Sequence, residues 1–409
     1  MELEKYSDCH LTYCSNIHPG ESWADHFHEL KSHLPELKKR LSPDKPFGVG
    51  LRLSAAAATE LLETDHLPAF KSWLNDEDLY IFTMNGFPYG SFHNEKVKEN
   101  VYKPDWSSEQ RLVYTINLIH LLAKLLPDHI DGSISTSPIS YKYWERGLQT
   151  EKQIIEKACH HLAESAFEMH KQCKQTGKEI HLDIEPEPDC LIENSGESVH
   201  FFHNQLWPVG SRYLSDHKGV DKQKAISILK KHIRLCYDTC HFAVEFEEPG
   251  KAVKQIIDAG IRIGKVQISA ALKVDLTTRD MSRENLRRKL QEYVESTYLH
   301  QVVEKRKDGS FNQYRDLPDA LRHIDEQKAV EWRIHFHVPI FTGNMDSLRS
   351  TQDHIINGLV PLFEKNGCRH FEIETYTWEV LPESLKLDIF DSVEREYRWL
   401  LENLDRVSI

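Results

Sequence analysis

Nowhere in the 409-residue chain do about eighteen apolar residues run together, so no transmembrane helix is expected. Cysteine is thinly spread. The eight cysteines, Cys9, Cys14, Cys159, Cys173, Cys190, Cys236, Cys240 and Cys368, form no CxxC pair, which excludes a zinc ribbon and a dithiol redox motif. They are expected as small core hydrophobes. Basic residues are in deficit: Lys plus Arg number 51 against 64 Asp plus Glu, a net charge of −13 with no local basic block. That balance repels phosphate backbones and anionic lipid and argues against a nucleic-acid partner. The opening stretch, MELEKYSDCHLTYC, has no apolar core of a signal peptide, so a reducing cytoplasm is the expected location. Internal repeats and low-complexity tracts are also missing.

What is present is alternation. In KEIHLDIEPEPD, Ile180, Leu182 and Ile184 alternate with His181, Asp183 and Glu185, the period of two of a strand that stops at a proline-broken turn. One face is suited to packing under helices and the other is ionic. Four later segments repeat the pattern: IRLCYD ending at Asp238, IGKVQIS with Gln267, RIHFHVP with His335 and His337, and HFEIETY with Glu372 and Glu374.

Strand and helix signals alternate along the whole chain. Strands are expected at His10–Ser15, Phe47–Leu53 and Leu79–Met84, then at the five segments above, with helices between them from about Trp23, after Ser54, after Ser107 and from Thr150 to Gly177. The stretch GSIST, Gly132–Thr136, has one apolar residue and reads as connection. Alternation of this kind predicts a parallel sheet, and eight units favour closure into a single (β/α)8 TIM barrel over residues 1–409. Long insertions follow the fourth and sixth of these strands, at about 186–220 and 272–330, and are expected at the barrel mouth. The first reads as irregular.

In a closed barrel the strand ends form a ring, so Glu185, Asp238, Gln267 and Glu374 converge. Desolvated carboxylates raise each other's pKa, and a divalent metal resolves the conflict. Oxygen ligands suit Mg or Mn, whereas imidazoles from His241, His335 or His337 shift the preference toward Zn, Fe or Co. Asp238 and His241 form D-x-x-H where a strand turns outward, and His335 and His337 share a face of an extended segment. Glu372 and Asp183, one strand pleat below, take structural roles, and Glu187 reads as a solvated loop carboxylate. Asn16, Arg52 and Asn85 follow the first three strands, where substrate-orienting groups belong. Arg52 is open to two readings, a substrate-anion site or a barrel-floor ion pair. Tyr376 and Trp378 are candidate pocket walls, and His93 is either a loop residue or a further metal ligand.

The segments HLTYCSNIHPGESW, LDIEPEPDC, CYDTCHFAVEFEEP, KVQISAAL, YLHQVVEKRKDGS, RIHFHVPIF and FEIETYTWEVLP together resemble the metabolite traffic protein EboE family. That family is similar to the xylose isomerase-like barrels, the superfamily of sugar phosphate isomerases and epimerases and the second AP-endonuclease family. The resemblance implies metal ligands at Glu185, Asp238, His241, Gln267 and Glu374, with Gln267 where the superfamily usually has His. It also implies that His335 and His337 stand in for an Asp and a His of the endonuclease branch, opening a multi-metal site. Other proteins of the same gene cluster are its implied partners.

The leading expectation is a metal-dependent isomerase or epimerase of a small polyhydroxylated carbonyl metabolite, with Glu185 and Glu374 as base and acid. The alternatives are a metal-dependent phosphoester hydrolase and a non-catalytic protein that binds a metabolite.

Overall fold

The computed structural model describes the chain except residues 4, 7, 64, 91–95, 145, 146, 148, 278–280, 346, 347, 365, 366 and 407–409. Seven parallel strands come first: β1 (His10–Tyr13), β2 (Phe47–Arg52), β3 (Leu79–Asn85), β4 (Gly132–Thr136), β5 (Ile180–Ile184), β6 (Ile233–Asp238) and β7 (Ile263–Ile268). After β7 the chain builds β8 (Ala270–Asp275), β9 (Val302–Arg306), β10 (Phe311–Tyr314), β11 (Ala329–Val338), β12 (Asn344–Met345) and β13 (Leu348–Ser350), and β14 (His370–Ile373) returns to the first sheet. That sheet has the order β1-β14-β7-β6-β5-β4-β3-β2. Its two ends meet through a parallel bridge between Cys14 and Gly50. The Thr12 hydroxyl seals the seam, donating to Gly48 O and accepting from Gly50 N, each at 2.9 Å.

Eight strands and alternating helices make the TIM barrel that the sequence predicts, but two of the strands are exchanged. Gly132–Thr136 is a barrel strand, paired with β3 and β5 along its length. A single apolar residue suffices there because Ser133 and Ser135 face a polar interior: Ser133 Oγ donates to Thr83 at 2.6 Å and bonds His370 Nδ1 at 2.8 Å, and Ser135 Oγ accepts from Lys265. The HxH segment, expected as a barrel strand, lies in a second, antiparallel sheet of order β10-β9-β11-β8-β13-β12. The insertions therefore follow barrel strands five and seven by position.

Ser269 is the only residue between β7 and β8, so one extended run leaves the barrel and enters the second sheet. Segment 186–220 is largely helical rather than irregular. Asn194 accepts from Glu197 N at 2.9 Å to cap the helix Ser195–Phe201, a π-helical turn follows, and Trp207–Lys218 ends at Gly219 in the left-handed region. These helices pack against Glu151–Thr176 and Lys222–His232 in the outer layer. Thr150 and Gln153 form a reciprocal cap at the start of Glu151–Thr176, and Gly177 (φ 78°) ends it.

The barrel interior below the mouth is ionic. Lys265 Nζ contacts Glu372 and donates to Ser135 Oγ at 3.3 Å, and His181 Nδ1 lies 2.7 Å from Asp183 Oδ1, all fully buried. These groups fit because small residues face them. A Cβ on Gly50 would overlap the Glu372 carboxylate and stand 2.7 Å from the Tyr13 carbonyl oxygen. Gly50→Ala is therefore expected to cost about 2–3 kcal/mol by urea denaturation. Gly90→Ala, where a Cβ meets nothing within 4 Å, should be silent; equal effects would refute the packing account.

Candidate metal centre

Asp238 ends β6 and caps the short helix Thr239–Val244. Its Oδ1 accepts from Cys240 N at 2.7 Å, His241 N at 3.0 Å and Ser269 Oγ at 2.6 Å, which saturates that oxygen. Oδ2 is left over, 3.9 Å from His241 Nε2. The D-x-x-H spacing thus has a local cause: the N-cap turn sets the histidine in the first helical turn, facing the same mouth.

Three imidazoles are held in one tautomer by acceptors behind them. His241 Nδ1–H donates to Pro186 O at 2.8 Å, and His337 Nδ1–H donates to Glu374 O at 2.6 Å. His335 Nδ1–H donates to Gln301 Oε1 at 2.8 Å, since the Gln301 amide nitrogen is spent on Pro188 O and the Tyr102 hydroxyl. Each Nε2 therefore keeps its lone pair, as a metal-binding imidazole requires. Burial holds His337 down at about 4 and His335 well below the ordinary histidine range, so both are neutral at pH 7. Ring centroids of His241 lie 4.7 Å from His335 and 6.0 Å from His337. The register of β11 slips against β8 between Ile334 and His337, the kind of irregularity that re-aims side chains beside a site.

The oxygen ligands stand beside them. Glu374, just past β14, takes Asn16 Nδ2 and Asn85 Nδ2 on Oε1, each at 2.8 Å. Gln267 is in register with Asp238 on one side and Glu372 on the other. Glu185, just past β5, has Oε1 3.9 Å from His241 Nδ1. Burial, then Glu374 and Asp238, push the Glu185 carboxyl well above the usual range; burial, then Asp238 and Glu372, do the same to Glu374.

Glu185 Oε2, Asp238 Oδ2, both polar atoms of Gln267, His335 Nε2 and His337 Nε2 are buried without a hydrogen-bond partner among the described residues. Orphaned lone pairs in this number are costly unless a cation takes them. In the trios Asp238–His241–His337 and Glu187–His241–His335, one ligand atom per residue lies within 4.8 Å of the others. The residues present fit a divalent ion.

Asn16, Asn85, Glu185, His241, His335, Glu374 and Tyr376 line one pocket, with Asp238 and His337 joined to it through His241. Two expected residues are elsewhere. Arg52 is buried with its guanidinium on Gly20 O at 3.0 Å and on Gly90 O, tying together the loops after β1 and β3. Trp378 packs in the main apolar core. His93 lies outside the described residues. Glu187 corrects the reading as a solvated carboxylate: it is buried, accepts the Tyr102 hydroxyl at 2.8 Å and lies 3.6 Å from His335 Nδ1. Burial raises it to about 7. Its place between Pro186 and Pro188, which restrict the backbone there, was the available signal. Gln301 and Tyr102, which orient His335, carried no signal in a lone sequence.

The chain is similar along 98% of its length to the xylose isomerase-like TIM barrel protein from Mycobacterium smegmatis in complex with magnesium, with TM-score 0.51, 12% identity and 98% of that chain covered. The fold is that of the xylose isomerase-like TIM barrels. Other neighbours include the IolI protein with a bound zinc atom (TM-score 0.48, 11% identity, 98% of this chain and 100% of that one) and a D-tagatose 3-epimerase-like protein (0.48, 12%, 97% of each). No family model and no curated protein matches the sequence. Among the described residues no helix is long and apolar enough to cross a membrane.

Cation binding must displace protons from carboxyls whose pKa values are raised, so affinity rises with pH until those groups are bare. Titration calorimetry with Mn²⁺ or Zn²⁺ in buffers of different ionisation enthalpy should register about one proton or more released per ion at pH 7. Affinity at pH 6 should be lower by about tenfold. A pH-independent affinity would contradict the electrostatics described.

Proposed function

We propose that this protein is a metal-dependent isomerase or epimerase of a small polyhydroxylated carbonyl compound. The observation that carries the reading is the set of buried atoms without a hydrogen-bond partner among the described residues on Glu185, Asp238 and Gln267, with the Glu374 carboxylate beside Glu185 on the pocket lining. Those four would hold a divalent ion of the Mg or Mn kind, and His241, His335 and His337 with Asp238 would hold one of the Zn, Co or Fe kind. Such an ion supplies Lewis acidity to adjacent substrate oxygens and acidifies the hydrogen on the carbon between them.

The chain's own groups divide the rest of the work. Glu185, with an unpartnered oxygen, takes the proton; Glu374, fixed by Asn16 and Asn85, returns one from the other side of the carbon. Tyr376 and Tyr102 wall the pocket and limit water. The likeness of the sequence motifs to the EboE-like proteins extends this reading to a metabolite precursor handled together with other proteins of the same gene cluster.

A second reading, phosphoester hydrolysis between two cations, draws on the two groupings Asp238–His241–His337 and Glu187–His241–His335, which would give two neighbouring positions. Incubation of the Mn²⁺- or Co²⁺-loaded protein with ketoses in heavy water separates the two. The first predicts deuterium at the carbon next to the carbonyl, falling by about 10²-fold or more in Glu185→Gln. Release of p-nitrophenol from bis(p-nitrophenyl) phosphate with no exchange into any ketose would instead support the second.

A further inference from the structure

The floor of the pocket is ionic, but its walls are not. Phe87, Val101 and Tyr102 come from the long connection after β3, Tyr298 and Leu299 from the insertion before β9, and Tyr376 from beyond β14. Phe87 and Tyr102 with Tyr141 and Cys190, flanked by Val101 and Leu299, form an apolar cluster separate from the main core. The Tyr102 hydroxyl is taken up by Glu187 and Gln301, which leaves its ring as wall. Phe87, Tyr102, Tyr141 and Cys190 already bury one another, so the apolar surface left for a ligand is the pocket lining itself, with half-buried Leu299 and Tyr376 as its most open parts.

Positive charge is equally informative. Lys98 is the one Lys or Arg lining the pocket among the described residues. An ammonium has three donors, and those of Lys98 reach Glu295 O at 3.2 Å, Tyr298 O at 2.6 Å and Asp316 Oδ2 at 2.8 Å. Arg52 is occupied by backbone carbonyls outside the pocket. A divalent ion on the floor is already outnumbered in charge by Glu185, Glu187, Asp238 and Glu374. Nothing cationic in the described walls is left to meet a phosphate, which is ordinarily held by Arg, Lys or a helix N-terminus.

We infer that the substrate is amphipathic and unphosphorylated: adjacent oxygens for the floor, joined to an aryl or alkyl body that lies against Phe87, Tyr298, Leu299 and Tyr376. The inference rests on the metal-dependent reading above and names the substrate class of the same site.

Two pairs of probes test it on the Mn²⁺-loaded protein, with Mn²⁺ occupancy read separately by equilibrium dialysis. Acetohydroxamate and benzohydroxamate present the same chelating oxygens and differ in a methyl against a phenyl group. Benzohydroxamate should bind at least about tenfold tighter, and Leu299→Asp should shrink that ratio to about threefold or less. D-fructose 6-phosphate should bind no tighter than D-fructose. Equal affinities within the hydroxamate pair, no binding of either, or a tenfold gain from the phosphate overturns the inference while bound Mn²⁺ leaves the metal reading standing. If dialysis finds no Mn²⁺, the metal reading falls, and the apolar wall stands only if benzohydroxamate still outbinds acetohydroxamate.

Discussion

Carboxylates crowded into a dry space repel one another, and this fold crowds three of them into one barrel mouth with two more close by. Glu185, Asp238 and Glu374 approach from different strand ends, with Glu187 above and Glu372 below. Beneath them the buried ammonium of Lys265, against Glu372, lowers the pKa of both Glu185 and Glu374. One internal cation does not balance the set. Protons on the raised carboxyls make up the difference, and these are the charges a divalent ion replaces.

Each candidate ligand is aimed by a different local device. A helix cap consumes one oxygen of Asp238, two side-chain amides consume one oxygen of Glu374, and backbone carbonyls consume the Nδ1–H of His241 and His337. The unused lone pair on each points where the rest of the site is. His337 bonding to the carbonyl of Glu374 links the second sheet directly to the barrel's last strand, and Thr377 donating to the His337 carbonyl adds a second tie. The candidate metal centre is therefore shared between barrel and insertion. Neither sheet alone presents both the carboxylates and the imidazole pair.

Side-chain alternation carried most of this in the sequence, because period two is imposed by the pleat wherever a strand has one ionic and one apolar face. It located Glu185, Asp238, Gln267 and Glu374 on inward positions. Alternation does not say which sheet a strand joins, so His335 and His337 were legible as a facing pair while the antiparallel sheet holding them was not. Gly132–Thr136 was hidden for the opposite reason: its inward residues, Ser133 and Ser135, serve other side chains, and its other face carries one apolar residue, Ile134, between Gly132 and Thr136. Arg52 was misleading because a buried guanidinium bonded to Gly20 and Gly90 has the same sequence signature as one waiting for an anion. Glu187, Tyr102 and Gln301 are joined in a chain of hydrogen bonds that ends on His335, by contacts between distant segments, which spacing along one chain does not encode.

The choice of a polar barrel interior follows from the same charge problem. A TIM barrel usually fills its interior with layers of branched aliphatic side chains, but apolar layers directly under three carboxylates would deepen their desolvation. Here Lys265, Glu372, Asp183, His181, His370 and the hydroxyls of β4 and β3 continue the ionic column downward, each paired with a neighbour. Glycines at 50 and 264 leave room for Glu372 and for the Asp183–His181 pair. A buried ion pair is weak support for stability by itself; its value in this position is that Lys265 brings positive charge under the mouth where no solvent reaches. The small residues, the ionic layers and the open carboxylates are thus one design, with the demand of the site fixing the contents of the barrel below it.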